Sequence, residues 1–112
     1  MVVQGQIIKI NLDPKKGHEQ KGYRPYLCLS HQLVEKYSNV AVFAPISNTD
    51  RDYPFYKPMP DNSITTGKVL LDQLVTIDYK SRGFNNVETL DDIFMDEALS
   101  IVKTIFQKKI AQ

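Results

Sequence analysis

The side chains in this sequence that could do chemistry gather at two places. His18, Glu19, Gln20 and Arg24 lie together near the N-terminus, and Ser47 follows a long apolar run. Metal chemistry finds little support. His18 and His31 are the only histidines and stand 13 positions apart, Cys28 is the single cysteine, and neither an HExxH nor an EF-hand spacing occurs. Asp91-Asp92 opens a helical pattern, where carboxylates offset the helix dipole, so neither a metal nor another cofactor is expected. Gly17 and Gly22 have the separation of a phosphate loop, but Tyr23-Arg24 follows where Lys-Ser/Thr is required. What remains is a group of polar residues at strand ends. The guanidinium of Arg24 is permanently charged and can meet an anion in a planar fork, the Ser47 hydroxyl can donate a hydrogen bond, and His18 brings an imidazole that could exchange protons. Each also has a plainer alternative: a surface arginine ahead of a strand, a turn serine, an exposed histidine.

The elements that must position these groups follow from pattern. Val2, Ile7, Ile8 and Ile10 mark a first strand, stopped by Leu12-Asp13-Pro14; a polar stretch with Pro14, Gly17 and Gly22 leads to a second strand over 25–30. Residues 31–39 read as a short polar connection, 40–46 as a buried strand and 47–52 as a turn. Tyr53 to Tyr56 suits an edge strand, since Pro54 and Pro58 cannot donate to a ladder. Lys68 to Ile77 is the last strong strand signal. Beyond Asn86 the period changes: Ile93, Phe94, Leu99, Ile101, Val102 and Ile105 predict an amphipathic helix capped by Thr89 or Asp91. Strands followed by a terminal helix make an α+β domain with a mainly antiparallel, curled sheet.

Composition bounds the same answer. The 112 residues suit one domain, and 42% hydrophobic with 24% charged residues allows one core. Cys28 lies in an apolar run and is expected to fill core volume. With no basic lead before a long apolar stretch and no run of about 18 apolar residues, a cytoplasmic protein without membrane contact is expected. The net charge of +1 is uneven: residues 1–82 hold 11 basic and 8 acidic side chains, residues 83–112 hold 3 and 5. Lys15, Lys16, Lys21 and Arg24 face only Glu19 within ten residues, an excess that could attract a polyanion or simply be a solvated loop.

The order of motifs resembles a known family. Leu12-Asp13-Pro14 followed by Gly17-His18-Glu19-Gln20-Lys21-Gly22-Tyr23-Arg24-Pro25 is similar to the N-terminal signature D-P-x-x-G-x-E-Q-x-G-x-R-P of the MazF/PemK/Kid toxins. Pro45-Ile46-Ser47 resembles their P-[IVC]-[TS] segment and Tyr53-Pro54-Phe55 their Y-P-F element. Gly67 to Arg82, with Asp72-Gln73 and Thr76-Ile77-Asp78, resembles their G-V-x-x-x-D-Q-x-x-[ST]-I-[DA]-x-x-x-R block. The resemblance covers nearly the whole chain. It implies an SH3-like curled antiparallel sheet, the PemK-like barrel, with a C-terminal helix, as a single toxin domain over residues 1–112. It also implies a homodimer that cleaves single-stranded mRNA at short sequences, as the toxin of a type II toxin-antitoxin system. A cognate acidic, MazE-like antitoxin would silence it by laying an extended tail over the RNA groove.

The chemistry implied is attack of the RNA 2′-hydroxyl on the adjacent phosphorus, which needs charge stabilisation and proton transfer but no metal. In the resemblance Arg24 faces the phosphorane, Ser47 stands where the family usually has threonine, and His18 stands where the PemK/Kid branch has histidine. Asp72 matches an aspartate of that branch that serves proton transfer or base contact. Leu70, however, replaces its active-site arginine, so Arg24 and Ser47 must carry more. For RNA contact, Tyr53 and Phe55 offer rings for unstacked bases, unless they are core or dimer contacts, and Lys15, Lys16, Lys21 and Arg51 offer cations for phosphates. Glu19, Gln20 and Gln73, inside the matched motifs, join the RNA-contacting set. The alternative on the same scaffold is a gyrase inhibitor like CcdB, which grips its target with a terminal Trp-Gly-Ile. This sequence has no tryptophan and ends Lys109-Ile110-Ala111-Gln112.

Overall fold

A computed structural model of the chain describes residues 1–12 and 22–110. Its elements run β1 (Gln6–Asn11), β2 (Tyr23–Cys28), α1 (Gln32–Ser38), β3 (Ala41–Ser47), β4 (Tyr56–Pro58), β5 (Lys68–Leu70), β6 (Val75–Ile77), β7 (Asn85–Thr89) and α2 (Asp92–Ile105). The strands pair antiparallel in the order β4-β5-β3-β2-β1-β7, with β6 also on β3. This is the predicted α+β class, an antiparallel sheet closed by a C-terminal helix.

Strands β1, β2 and β3 place buried residues on both faces, although Lys9, Tyr23 and Arg24 are exposed, and β3 accordingly reads as a nearly unbroken apolar run. On one face Ile7, Leu27, Ala44 and Ile46 meet Val69 and Leu71 and the Phe94, Met95 and Ala98 side of α2. On the other, Ile8, Ile10, Tyr26, Cys28 and Phe43 close against Ile77 and Tyr79. Cys28 is core, as expected, and burial pushes its thiol up despite hydrogen bonding with Ser30. Helix α2 is capped by Asp91, one of the two predicted caps, whose side chain accepts from Phe94 N at 2.8 Å. Acidic Asp92 opens it and basic Lys103 closes it, each complementing the dipole.

Several elements depart from the sequence expectations, beginning with β2, which spans Tyr23–Cys28 rather than 25–30 because its pairing with β1 extends back to Asn11↔Tyr23. Residues 32–38, read as part of a polar connection, form α1, with His31 Nδ1 accepting from Leu33 N at 3.0 Å and Asn39 closing the helix in the left-handed region at φ 62°. A helix of seven residues is marginal alone, so tertiary contacts must hold it. Glu35, 3% exposed, supplies them: its carboxylate accepts from the Tyr79 hydroxyl and pairs with Lys80 Nζ at 3.1 Å, while Val2 N donates to the Tyr79 oxygen at 2.8 Å.

The stretch Lys68 to Ile77 is two strands rather than one. Both run along the same edge of β3, but pairing passes from Ile46↔Val69 to Phe43↔Val75, so three extra residues bulge out between them. A bulge re-aims side chains. Leu71 turns into the core while Asp72 and Gln73 become exposed. Strand β7 carried no sequence signal because Asn85-Asn86-Val87-Glu88-Thr89 has little to bury at an edge; its pairing with β1 makes it a strand. Tyr53 to Phe55 precede β4 instead of forming it.

Candidate active site

Arg24 lies on β2 opposite Ile10 of β1, and its exposed guanidinium has no hydrogen bond or ion pair among the described residues. Ser47 ends β3, half-buried, its hydroxyl likewise without a hydrogen bond among the described residues. The β2–β3 ladder runs Cys28↔Phe43, Leu27↔Ala44, Tyr26↔Pro45. Arg24 is two residues before Tyr26 and Ser47 two residues after Pro45, so strand alternation sets both on the face shared by Tyr26 and Pro45. The β2–β3 register, continued, puts Arg24 across from Ser47.

The backbone around them is held by close approaches. Asn11 pairs with Tyr23, so the segment between β1 and β2 begins and ends at one register pair; residues 13–21 lie outside the described residues. Gly22 sits against Asn11, where an added Cβ would fall 2.2 Å from its side-chain oxygen. Arg82 Nη1 donates to the Asn11 carbonyl at 3.4 Å. At Ser47 the neighbour is Gly67, φ +112°, whose added Cβ would meet the Ser47 carbonyl oxygen at 2.5 Å. Only glycine allows both that φ and that contact.

A second group borders Ser47. Arg51 stacks over the Tyr53 ring at 4.1 Å and reaches Tyr56 at 5.6 Å, while Tyr53 packs edge-on against Phe55 and Tyr56, at 5.6 Å and 4.8 Å. Gln73, thrown out by the bulge, donates Nε2–H to the Tyr56 hydroxyl at 3.0 Å. Burial, then the neighbouring Asp72 carboxylate, pushes the Tyr53 phenol up, with Arg51 opposing. Burial likewise pushes the Tyr26 hydroxyl up, and the Arg24 charge pulls it back.

Of the residues singled out in the sequence, Arg51, Tyr53, Phe55, Asp72 and Gln73 are thus one cluster, and Arg24 and Ser47 share a sheet face. No hydrogen bond links Arg24, Ser47 and Asp72 directly among the described residues. Lys15, Lys16, His18, Glu19, Gln20 and Lys21 lie outside the described residues. Two further residues went unnoticed in the sequence: Tyr56, which anchors Gln73, and Lys68, the register partner of Ser47. Neither stands out locally, because each earns its place through a strand pairing distant in sequence. Among the described residues no group of three His, Cys, Asp or Glu could hold a metal ion, and no helix is long and apolar enough to cross a membrane.

The fold, an antiparallel sheet with a C-terminal helix, is shared with known proteins. Residues 3–106 match the model of the PemK-like, MazF-like toxins of type II toxin-antitoxin systems, so the chain belongs to this family. The Endoribonuclease PemK of Escherichia coli is 35% identical over 106 residues, covering 91% of this chain and 80% of that one. The crystal structure of a MazF from Deinococcus radiodurans superposes with a TM-score of 0.78 at 25% identity, covering 94% of this chain and 96% of that one. A MazE-MazF complex from the same organism superposes at 0.81 with 22% identity, covering 94% and 95%. Membership in this toxin family does not favour the CcdB-like alternative.

Proposed function

We propose that this chain, an endoribonuclease toxin by family, cuts single-stranded mRNA at short sequences by metal-independent attack of the 2′-hydroxyl on the adjacent phosphorus, and so halts translation in the cytoplasm. The 2′-oxygen bonds to phosphorus, the 5′-oxygen leaves and takes up a proton, and a 2′,3′-cyclic phosphate and a 5′-hydroxyl result. Arg24 meets the extra negative charge with a paired contact and Ser47 donates a hydrogen bond to it. His18 and Asp72 serve proton transfer, and Arg51, Tyr53, Phe55 and Gln73, with Lys15, Lys16, Glu19, Gln20 and Lys21, hold the strand.

The observation that carries this reading is the common sheet face of Arg24 and Ser47, both with polar ends unengaged among the described residues. Such groups are free to turn to an anion that arrives from outside. Two copies pair to complete the RNA groove, and an acidic, extended antitoxin covers it, as MazE accompanies MazF in the Deinococcus complex. The test is incubation of the purified protein with a long single-stranded RNA in excess EDTA, followed by analysis of the product ends. Cleavage to cyclic phosphate and 5′-hydroxyl ends, abolished by deoxyribose at the scissile position, is the expected result. RNA left intact in EDTA but cut once a divalent ion is restored overturns it.

A further inference from the structure

We propose that Lys68 is a further substrate-binding cation, which holds a backbone phosphate of single-stranded RNA next to the one engaged by Arg24 and Ser47; this rests on the ribonuclease reading above. Lys68 pairs directly with Ser47 across β5 and β3, so the two side chains share a sheet face with Cβ atoms about 5 Å apart. The contact of Gly67 with the Ser47 carbonyl fixes that register from the neighbouring residue.

The charge state of the surroundings separates Lys68 from the other lysines on nearby elements. Lys57 is paired with Glu97 at 3.3 Å and Lys80 with Glu35 at 3.1 Å. Half-buried Lys68 has no carboxylate within ion-pair distance among the described residues. Its ammonium donates one hydrogen bond, to the Arg51 carbonyl at 2.7 Å, and an ammonium has three to give. A partly desolvated cation without a counter-ion is a favourable place for an anion to settle. The same hydrogen bond anchors the main chain of Arg51, whose guanidinium lies over Tyr53, so Lys68 links the strand end that carries Ser47 to the Arg51–Tyr53 stack. Two cations beside a hydroxyl and an aromatic cluster match the phosphates and bases of a single strand.

A strut role, in which Lys68 only ties down Arg51, needs the hydrogen bond but not the charge. Lys68→Gln keeps a donor and removes the charge, while Lys68→Arg keeps the charge. The probe is a fluorescein-labelled 2′-O-methyl RNA oligomer of mixed sequence, which cannot be cut by its own 2′-oxygen. Anisotropy titrations across a series of KCl concentrations are expected to show Lys68→Gln with a salt slope shallower than wild type by about 0.7, one phosphate contact on a single strand. Lys68→Arg should retain the wild-type slope. On cleavable RNA, Lys68→Gln should raise KM and leave kcat in place. An unchanged slope in a Lys68→Gln protein that still binds the oligomer overturns the proposal, whether or not its thermal midpoint falls. A Lys68→Arg slope as shallow as that of Lys68→Gln also overturns it. Wild-type protein that neither binds the oligomer nor cuts RNA overturns the ribonuclease reading and this proposal together, which distinguishes the two failures.

Discussion

Arg24 and Ser47 are asked to do different amounts of work in the proposed reaction. A pentacovalent phosphorus carries an extra negative charge, and a guanidinium meets it with two aligned N–H groups and a full positive charge. Loss of one preorganised donor to such a charge costs on the order of 100-fold in rate. Arg24→Ala is therefore expected to slow cleavage by about that factor or more, with little recovery in Arg24→Lys, because an ammonium cannot reproduce the paired contact. Ser47→Ala removes a neutral donor and should cost less, and Ser47→Thr should be tolerated because the hydroxyl is kept. Initial cleavage rates on one RNA, with unfolding midpoints matched to wild type, check all four. A folded Arg24→Ala protein with the wild-type rate removes Arg24 from the mechanism.

At the level of elements, α1 shows how one buried carboxylate can hold a marginal helix in place. Burial alone would raise the Glu35 carboxyl, but the hydrogen bond from Tyr79, then the contact with Lys80, outweigh it and hold the group below the usual carboxylate range. Tyr79 is in turn pushed up to about 12 by burial and by Glu35, so its phenol remains a donor through neutral pH. Because the Glu35 value is lower folded than unfolded, the unfolded chain binds more protons between the two values, and stability rises with pH across that window. The contribution is complete above about pH 4.3, the unperturbed glutamate value, and is lost as pH falls through the depressed folded value. Glu35→Gln is expected to cost on the order of 1 kcal/mol at pH 7, because the amide oxygen can still accept from Tyr79 and the Lys80 ammonium left behind is half exposed. Urea unfolding of both proteins at descending pH should show the gap close in the acid range. A gap that stays constant would mean that the ionised form of Glu35 contributes nothing special.

For the molecule as a whole, the fold leaves apolar surface uncovered: Leu33 and Tyr37 of α1, Ile64, Ile93 and Phe106 are all more than half exposed. A chain of 112 residues has limited core to spare, and pairing of two copies adds to it. A homodimer is therefore expected in solution. Light scattering at micromolar concentration should report twice the 12.8 kDa chain mass. A monomer mass under those conditions rules the pairing out.

Much of this protein was legible in one dimension because the signals are local. The apolar runs of β2 and β3, the helical period of α2 with its Asp91 cap, and the burial of Cys28 all follow from neighbours in sequence. The ordered motifs around Arg24, Ser47 and Asp72 likewise belong to the chain as written, and they sufficed to point to the toxin family. Tertiary structure decided what depends on partners far along the chain. Helix α1 exists where Glu35 meets Tyr79 and Lys80, 44 residues from Tyr79 in sequence, and β7 exists because β1 offers it an edge. The bulge between β5 and β6 is invisible in an apolar run that reads as a single strand, since only the register on β3 shows three residues too many. That bulge exposes Asp72 and Gln73, and the same register sets Lys68 beside Ser47. Cross-strand neighbours are chosen by hydrogen-bond register rather than by residue type, so no local pattern could have brought them together.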